Sequence, residues 1–69
     1  MTFIELNAFL GVCKLASTGG QAKQLIKSGV VTVNGAAETR NKRKLVAGDH
    51  VLVNQKTYVV KAEQCKMEK

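Results

Sequence analysis

Leu6, Phe9, Leu10 and Cys13 recur at the i, i+3, i+4 and i+7 spacing that lines one face of an α-helix. Asn7, Gly11 and Lys14 fall off that stripe, so the pattern predicts a first helix over about residues 5–15. Phe3-Ile4-Glu5-Leu6 leads into it as a short apolar run that also suits a strand. A second stripe, Ala22, Leu25 and Ile26, follows Thr18-Gly19-Gly20-Gln21. That tetrapeptide has the form of a capping box, a hydroxyl residue followed three positions later by Glu or Gln. Gly29 suits the left-handed stop beyond the last turn. The period then changes to two. Val31 and Val33 alternate with Val30, Thr32 and Asn34, and Asn34-Gly35 is a tight-turn signal. Ala36 to Thr39 can return as a strand, and Leu45-Val46 runs into a turn at Ala47-Gly48-Asp49. Val51–Val53 and Tyr58–Val60 read as strands around a turn at Asn54-Gln55-Lys56. Residues 63–69 form a charged tail expected to fray.

The order is helix, helix, then strands, with no internal repeat, linker or low-complexity block. The implied fold class is α+β: two N-terminal helices packed on a small antiparallel sheet, which buries both apolar stripes at once. The 69 residues form one domain, with a core over about residues 3–60. A chain of this length buries only about 60% of the surface its unfolded form exposes, which leaves a small stability margin. Hydrophobic residues make up 45% of it, enough for a globular core. No run of 18 apolar residues occurs, so no membrane span is expected. Met1-Thr2-Phe3-Ile4-Glu5 lacks the charged and apolar regions of a secretory signal.

Chemistry-bearing residues are few. Cys13 and Cys65 are too few for a disulfide framework and read as reduced cytosolic thiols, Cys13 in the core and Cys65 exposed. His50 is the only histidine and is read as a strand residue, with Asp49 capping its turn. No zinc set and no nucleophile–base pair can be assembled, so neither metal, cofactor nor catalytic residue is expected.

Charge carries more information. Eleven Lys and Arg against five Asp and Glu leave +6, which points to an anionic partner. Lys23 and Lys27, four apart, share one helix face with Gln24 beside them, and no acid occurs between Leu6 and Ala37. Arg40, Lys42, Arg43 and Lys44 crowd four cations into residues 40–44. The two arginines can present planar forks to phosphate oxygens, while the lysines act as point charges. A solvated loop or a nuclear-localisation run would share this composition. A basic helix face together with a basic loop favours a continuous nucleic-acid-binding surface. Phe3, Phe9 and Tyr58 are the only aromatics, too few to stack single-stranded bases. Binding should then rest on phosphates and shape, which favours structured RNA. Thr18 with Gly19-Gly20 can cap a helix and hold a phosphate at its N-terminus, although no Gly-Lys-Ser/Thr follows to make a P-loop.

Thr18-x-x-Gln21-Ala22-Lys23-Gln24-Leu25-Ile26-x-x-Gly29-x-Val31-x-Val33-Asn34-Gly35, then Leu45-x-x-Gly48-Asp49-x-Val51, resembles the RNA-binding domain of small-subunit ribosomal protein S-four. The likeness spans roughly residues 3–60. It is nearest to small stand-alone bacterial members, with Glu38-Thr39-Arg40 followed by a basic run. The resemblance implies two N-terminal helices against a small bent sheet, with structured RNA held by the second helix and the following β loop. On that footing Thr18, Gln21, Lys23, Gln24 and Lys27 would face RNA from the helix. Asn34 would do so from the hairpin, and Arg40, Lys42, Arg43 and Lys44 from the loop. Many members carry Ser-Arg where this chain has Thr18-Gly19, so the arginine contact is absent here.

The expected protein is a cytoplasmic, monomeric, non-enzymatic binder of structured RNA, ribosomal or transfer RNA included, with ribosome or ribonucleoprotein association as a corollary. Its competitors are an adaptor docking an acidic protein and a DNA-binding accessory factor. Charge reversal at Arg43 is the substitution this reading first suggests.

Overall fold

The computed structural model describes residues 2–67. In chain order the elements are β1 (Thr2–Glu5), α1 (Leu6–Val12), α2 (Gly19–Lys27), β2 (Val31–Val33), β3 (Ala36–Ala37), β4 (Lys44–Leu45), β5 (His50–Val53), β6 (Lys56–Val59), a 3-10 turn (Ala62–Gln64) and β7 (Lys66–Met67). The strands form two antiparallel sheets, ordered β4-β1-β7 and β3-β2-β5-β6. The α+β expectation holds. The single sheet expected from the sequence is divided, because β1 pairs with β4 on one side and β7 on the other.

The first helix is shorter than its pattern implied. It stops at Val12 in a Schellman arrangement: the Lys14 N–H donates to Gly11 O at 3.0 Å and the Leu15 N–H to Leu10 O at 2.9 Å. Lys14 takes the left-handed position at φ 60, normally given to glycine, and the reversal folds Leu15 back against the core. At the other end Glu5 remains in β1, paired with Lys44, so the helix begins at Leu6.

The second helix begins and ends as its punctuation implies. Thr18 is the N-cap, its Oγ1 accepting from the Gln21 N–H at 3.1 Å. The box closes one residue early, however. Gln21 Oε1 accepts from the N–H and hydroxyl of Ser17, at 2.9 and 2.6 Å, rather than from the N–H of Thr18. Gly29, at φ 85, ends the helix.

Leu6, Phe9, Leu10, Ala22 and Ile26 from the helices meet Val31, Val33, Val51 and Val53 from β2 and β5 in one core, closed by Ile4, Leu45 and Val60. The valines register as Val31 with Val53 and Val33 with Val51, so the period-two pattern places one face of the sheet against the helices. Cys13 and Cys65 are free thiols, both partly buried against this core. Cys65 is therefore not the exposed tail residue expected. Residues 61–67 form the 3-10 turn and β7, which extends the fold past residue 60 to Met67; the last two residues of the tail expected to fray, 68–69, lie outside the described residues.

Two hairpins turn on residues with positive φ: Asn34-Gly35 at 51 and 85, and Asn54-Gln55 at 51 and 70. These are the signs a two-residue I′ turn needs, and glycine is its natural second residue. Gln55 therefore carries left-handed strain that Gly35 does not. Gln55→Gly is expected to raise stability by about 0.5–1 kcal/mol, the strain relief exceeding the added chain entropy. Gly35→Ala should lower it by a similar amount. Urea unfolding of the two variants beside the parent checks both signs.

Candidate nucleic-acid interface

Helix α2 buries Ala22 and Ile26. At 100° per residue Gln24 then points directly away from the core, with Lys23 and Lys27 on one flank and Gln21 and Ser28 on the other. Lys23, Gln24 and Lys27 are exposed, and neither lysine forms an ion pair among the described residues. Gln21, Gln24, Leu25 and Ser28 line a shallow open groove with Leu15. Gln21 serves first as a cap, since its side-chain oxygen is held by Ser17.

The basic loop is built around a residue the charge count overlooked. Glu38 is only 6% exposed. Its backbone N–H donates to Val31 O at 3.0 Å, which roots it beside β2. Its carboxylate accepts from Arg43 Nη1 at 2.7 Å, from the Arg40 N–H at 3.0 Å and from Arg40 Nε at 3.2 Å. Hydrogen bonds from Arg43 first, then from the Arg40 side chain and backbone, hold the carboxyl down to about 2. Two of the four loop cations are thus structural partners as well as surface charges. The Arg40 side chain keeps 77% of its surface in solvent and that of Arg43 keeps 33%.

The loop backbone completes the first helix. The Leu6 N–H donates to Arg43 O at 2.8 Å and the Asn7 N–H to Asn41 O at 3.0 Å. Glu5, the N-cap of α1, supplies no side-chain cap, so loop carbonyls satisfy donors that otherwise lack partners. The side-chain oxygens of Asn7 and Asn41 are both buried without a hydrogen-bond partner among the described residues.

These attachments organise the surface. Arg40, Lys42, Arg43 and Lys44 surround one open cleft. Lys44 also sits over the Phe3 ring, its Nζ 4.8 Å from the centroid. A second hollow is lined by Asn7, Ala8 and Gly11 of α1 and by Ala16 through Gly19 at the start of α2. Asn7 lines this hollow and bonds the loop backbone, so it joins the α2 N-terminus to the basic loop. Gly19 faces open space, with nothing within 4 Å of the position a Cβ would take.

Asn34 stands apart from this grouping. Its Nδ2 donates to Asp49 Oδ1 at 3.3 Å and its Oδ1 accepts from the His50 N–H at 3.0 Å. Asp49 in turn accepts from the Val46 N–H at 2.9 Å. The Asn34 side chain thus fastens the hairpin to the next turn. Sequence reasoning missed Glu38, Asn7 and Asn41. Glu38 had a readable signal, as the only acid between Leu6 and Gly48, placed two and five residues before arginines. The asparagines had none, because their roles depend on backbone contacts distant in sequence.

The S4 domain family model matches residues 1–61, and the chain belongs to that family of RNA-binding domains. A comparison with curated proteins gives no match. Among the described residues no helix is long and apolar enough to cross a membrane.

The position of Glu38 makes Arg43→Glu a poor probe of binding, since it sets a second carboxylate against a buried one. Glu38 titrates at about 2 in the fold against an ordinary 4.5. The stabilisation is present in full above pH 4.5 and is lost as pH falls toward 2. With screening at the Arg40 edge it amounts to about 2 kcal/mol. Thermal unfolding from pH 7 to 2 should show the midpoint falling across this window. Glu38→Gln should start lower at pH 7 and show a shallower fall.

Proposed function

We propose that this chain is a cytoplasmic, monomeric, non-enzymatic protein that binds structured RNA, in association with the ribosome or another ribonucleoprotein. One observation carries the reading: four cations surround a single cleft whose backbone is fixed to α1, and the α2 N-terminal hollow adjoins it through Asn7. A fixed array of charge suits a partner whose phosphates are themselves fixed in space, as in a hairpin or duplex.

In this reading Lys42 and Lys44 supply point charges, Arg40 and Arg43 present their free guanidinium edges, and Lys23 and Lys27 extend the track along α2. Gln24, beside the lysines, adds a directional donor and acceptor. Thr18 holds the helix start so that the Gly19 and Gly20 backbone lies open to a phosphate oxygen. Gln21 and Asn34 contribute by shaping their segments. The domain reads helical geometry and phosphate spacing, with little dependence on base identity.

Anisotropy of a labelled RNA hairpin tests this over a range of salt. Contact with five or six phosphates gives a slope of log affinity against log salt of about −4 to −5, at ~0.7–0.9 per phosphate. A slope near zero refutes the proposal. Lys42→Glu, at an exposed position with no ion pair among the described residues, should weaken every hairpin about tenfold, and an unaffected variant removes the loop from the interface. DNA of the same sequence should bind more weakly, since it lacks the A-form groove and 2′-hydroxyls. Gly19→Arg places a guanidinium in open space at the α2 N-terminus. It is expected to tighten hairpin binding and steepen the slope by about one phosphate's worth, ~0.7–0.9.

A further inference from the structure

We propose that Glu38 is a positioning residue for RNA recognition: its buried carboxylate holds Arg40 and Arg43 in one orientation, and that orientation makes the loop select folded over unpaired RNA. The inference rests on the RNA reading above and adds the source of its selectivity.

The geometry is specific. Arg40 engages Glu38 Oε2 through both its backbone N–H and its Nε, at 3.0 and 3.2 Å, so one oxygen fixes the residue at two points. Its Nη2 lies 3.4 Å from Oε1, leaving the outer guanidinium edge free for a second acceptor. Arg43 reaches Oε1 through Nη1 alone, at 2.7 Å, so its other amino group and its Nε remain available. Glu38 is anchored through its own N–H to Val31, and Arg43 is anchored through its carbonyl to Leu6. The two guanidinium groups are therefore referenced to β2 on one side and to α1 on the other.

A carboxylate inside a basic loop lowers the local charge, which weakens phosphate attraction in general. A loop selected only for affinity would do better with a neutral residue at this position. Fixing the cations yields discrimination instead. Mobile arginines can follow the phosphates of any flexible strand, whereas arginines held by Glu38 match only phosphates already at the right separation. Lys42, on the same cleft but outside the clamp, contributes charge without orientation.

The test compares a labelled RNA hairpin with an unpaired RNA of the same length and composition, at one salt concentration. The parent should favour the hairpin. Glu38→Gln keeps the side-chain shape, removes the charge and one of the two acceptor oxygens that hold the arginines, and so loosens the clamp while raising the net charge by one. It should hold or gain affinity for the unpaired strand and lose hairpin affinity, so that the preference falls about tenfold, the value of one charge-assisted contact. Arg40→Lys is the second variant. It preserves charge and leaves the Arg43–Glu38 pair, so it should fold even where Glu38→Gln does not. It should lower the preference while leaving the salt slope intact. Lys42→Gln should weaken both RNAs alike and keep their ratio. Retention of the parent's preference in Arg40→Lys and in folded Glu38→Gln overturns the positioning role while leaving RNA binding in place. Equal binding of the two RNAs by the parent also overturns it. Failure of the parent to bind either RNA overturns the function and, with it, this inference.

Discussion

A carboxylate removed from water must find cationic partners, and Glu38 finds two arginines from its own neighbourhood in the chain. Much of the molecule's architecture follows from that requirement. Residues 38–43 cannot leave as a loose loop. They curl so that Arg40 and Arg43 both reach back to one side chain, and the curl brings the carbonyls of Asn41 and Arg43 over the start of α1. Those carbonyls satisfy the Leu6 and Asn7 N–H groups, which have no capping side chain of their own. The chain then enters β4 beside β1, where Lys44 pairs with Glu5 and Leu45 with Ile4. One ion cluster thus ties the hairpin sheet, the first helix and the second sheet together. At about 2 kcal/mol, with its arginine edges screened by solvent, the cluster supplies a large share of the stability of a domain this small.

A second polar junction operates at the opposite end of the hairpin. Asn34 occupies a left-handed turn position and also bonds Asp49 and His50. Asp49 closes its own turn through Val46. The β2–β3 turn and the turn before β5 are consequently one unit, and the register of Val33 with Val51 is set beside it. Both junctions use polar side chains, long in the Glu38 cluster and short at Asn34 and Asp49, to fix the path of loops whose backbone would otherwise compete for water. The apolar core between them is made of aliphatic residues and a single phenylalanine, and in a domain this small it has little surplus with which to restrain loops by packing alone.

The two amphipathic helices and the period-two strands were legible because periodicity reports burial directly. Gly29, Asn34-Gly35 and Gly48-Asp49 were legible because each residue type answers a backbone demand. The early stop of α1 was not, since Lys14 fills a position where glycine would have announced the turn. The division into two sheets was hidden for a different reason: β1, β4 and β7 are two to four residues long, and their partners are remote in sequence. The charge run at 40–44 was visible, but its internal structure was not. The sequence separates arginine forks from lysine point charges but aims all four at a partner, whereas the fold assigns Arg40 and Arg43 to a buried acid, sets Lys44 over Phe3 and leaves Lys42 exposed. Asn34 was placed on the interface by its hairpin position, yet its side chain is occupied within the fold.

This division of labour bears on how a domain with so little core can also bind a polyanion. Clustered positive charge destabilises a compact state through self-repulsion, and a marginal fold has little to spare for it. Glu38 reduces that repulsion inside the run while using two of the same cations to hold the loop against β2 and α1. The arginine suits this double use because its guanidinium offers five donors, so one edge can serve the fold while another faces outward. A lysine in the same place offers three rotatable donors on one nitrogen, so it could touch both the buried acid and an external phosphate but would fix the orientation of neither. The distribution of residue types in the loop follows this logic. The arginines are the residues that touch the acid. Lys42, at the exposed crest, needs only charge.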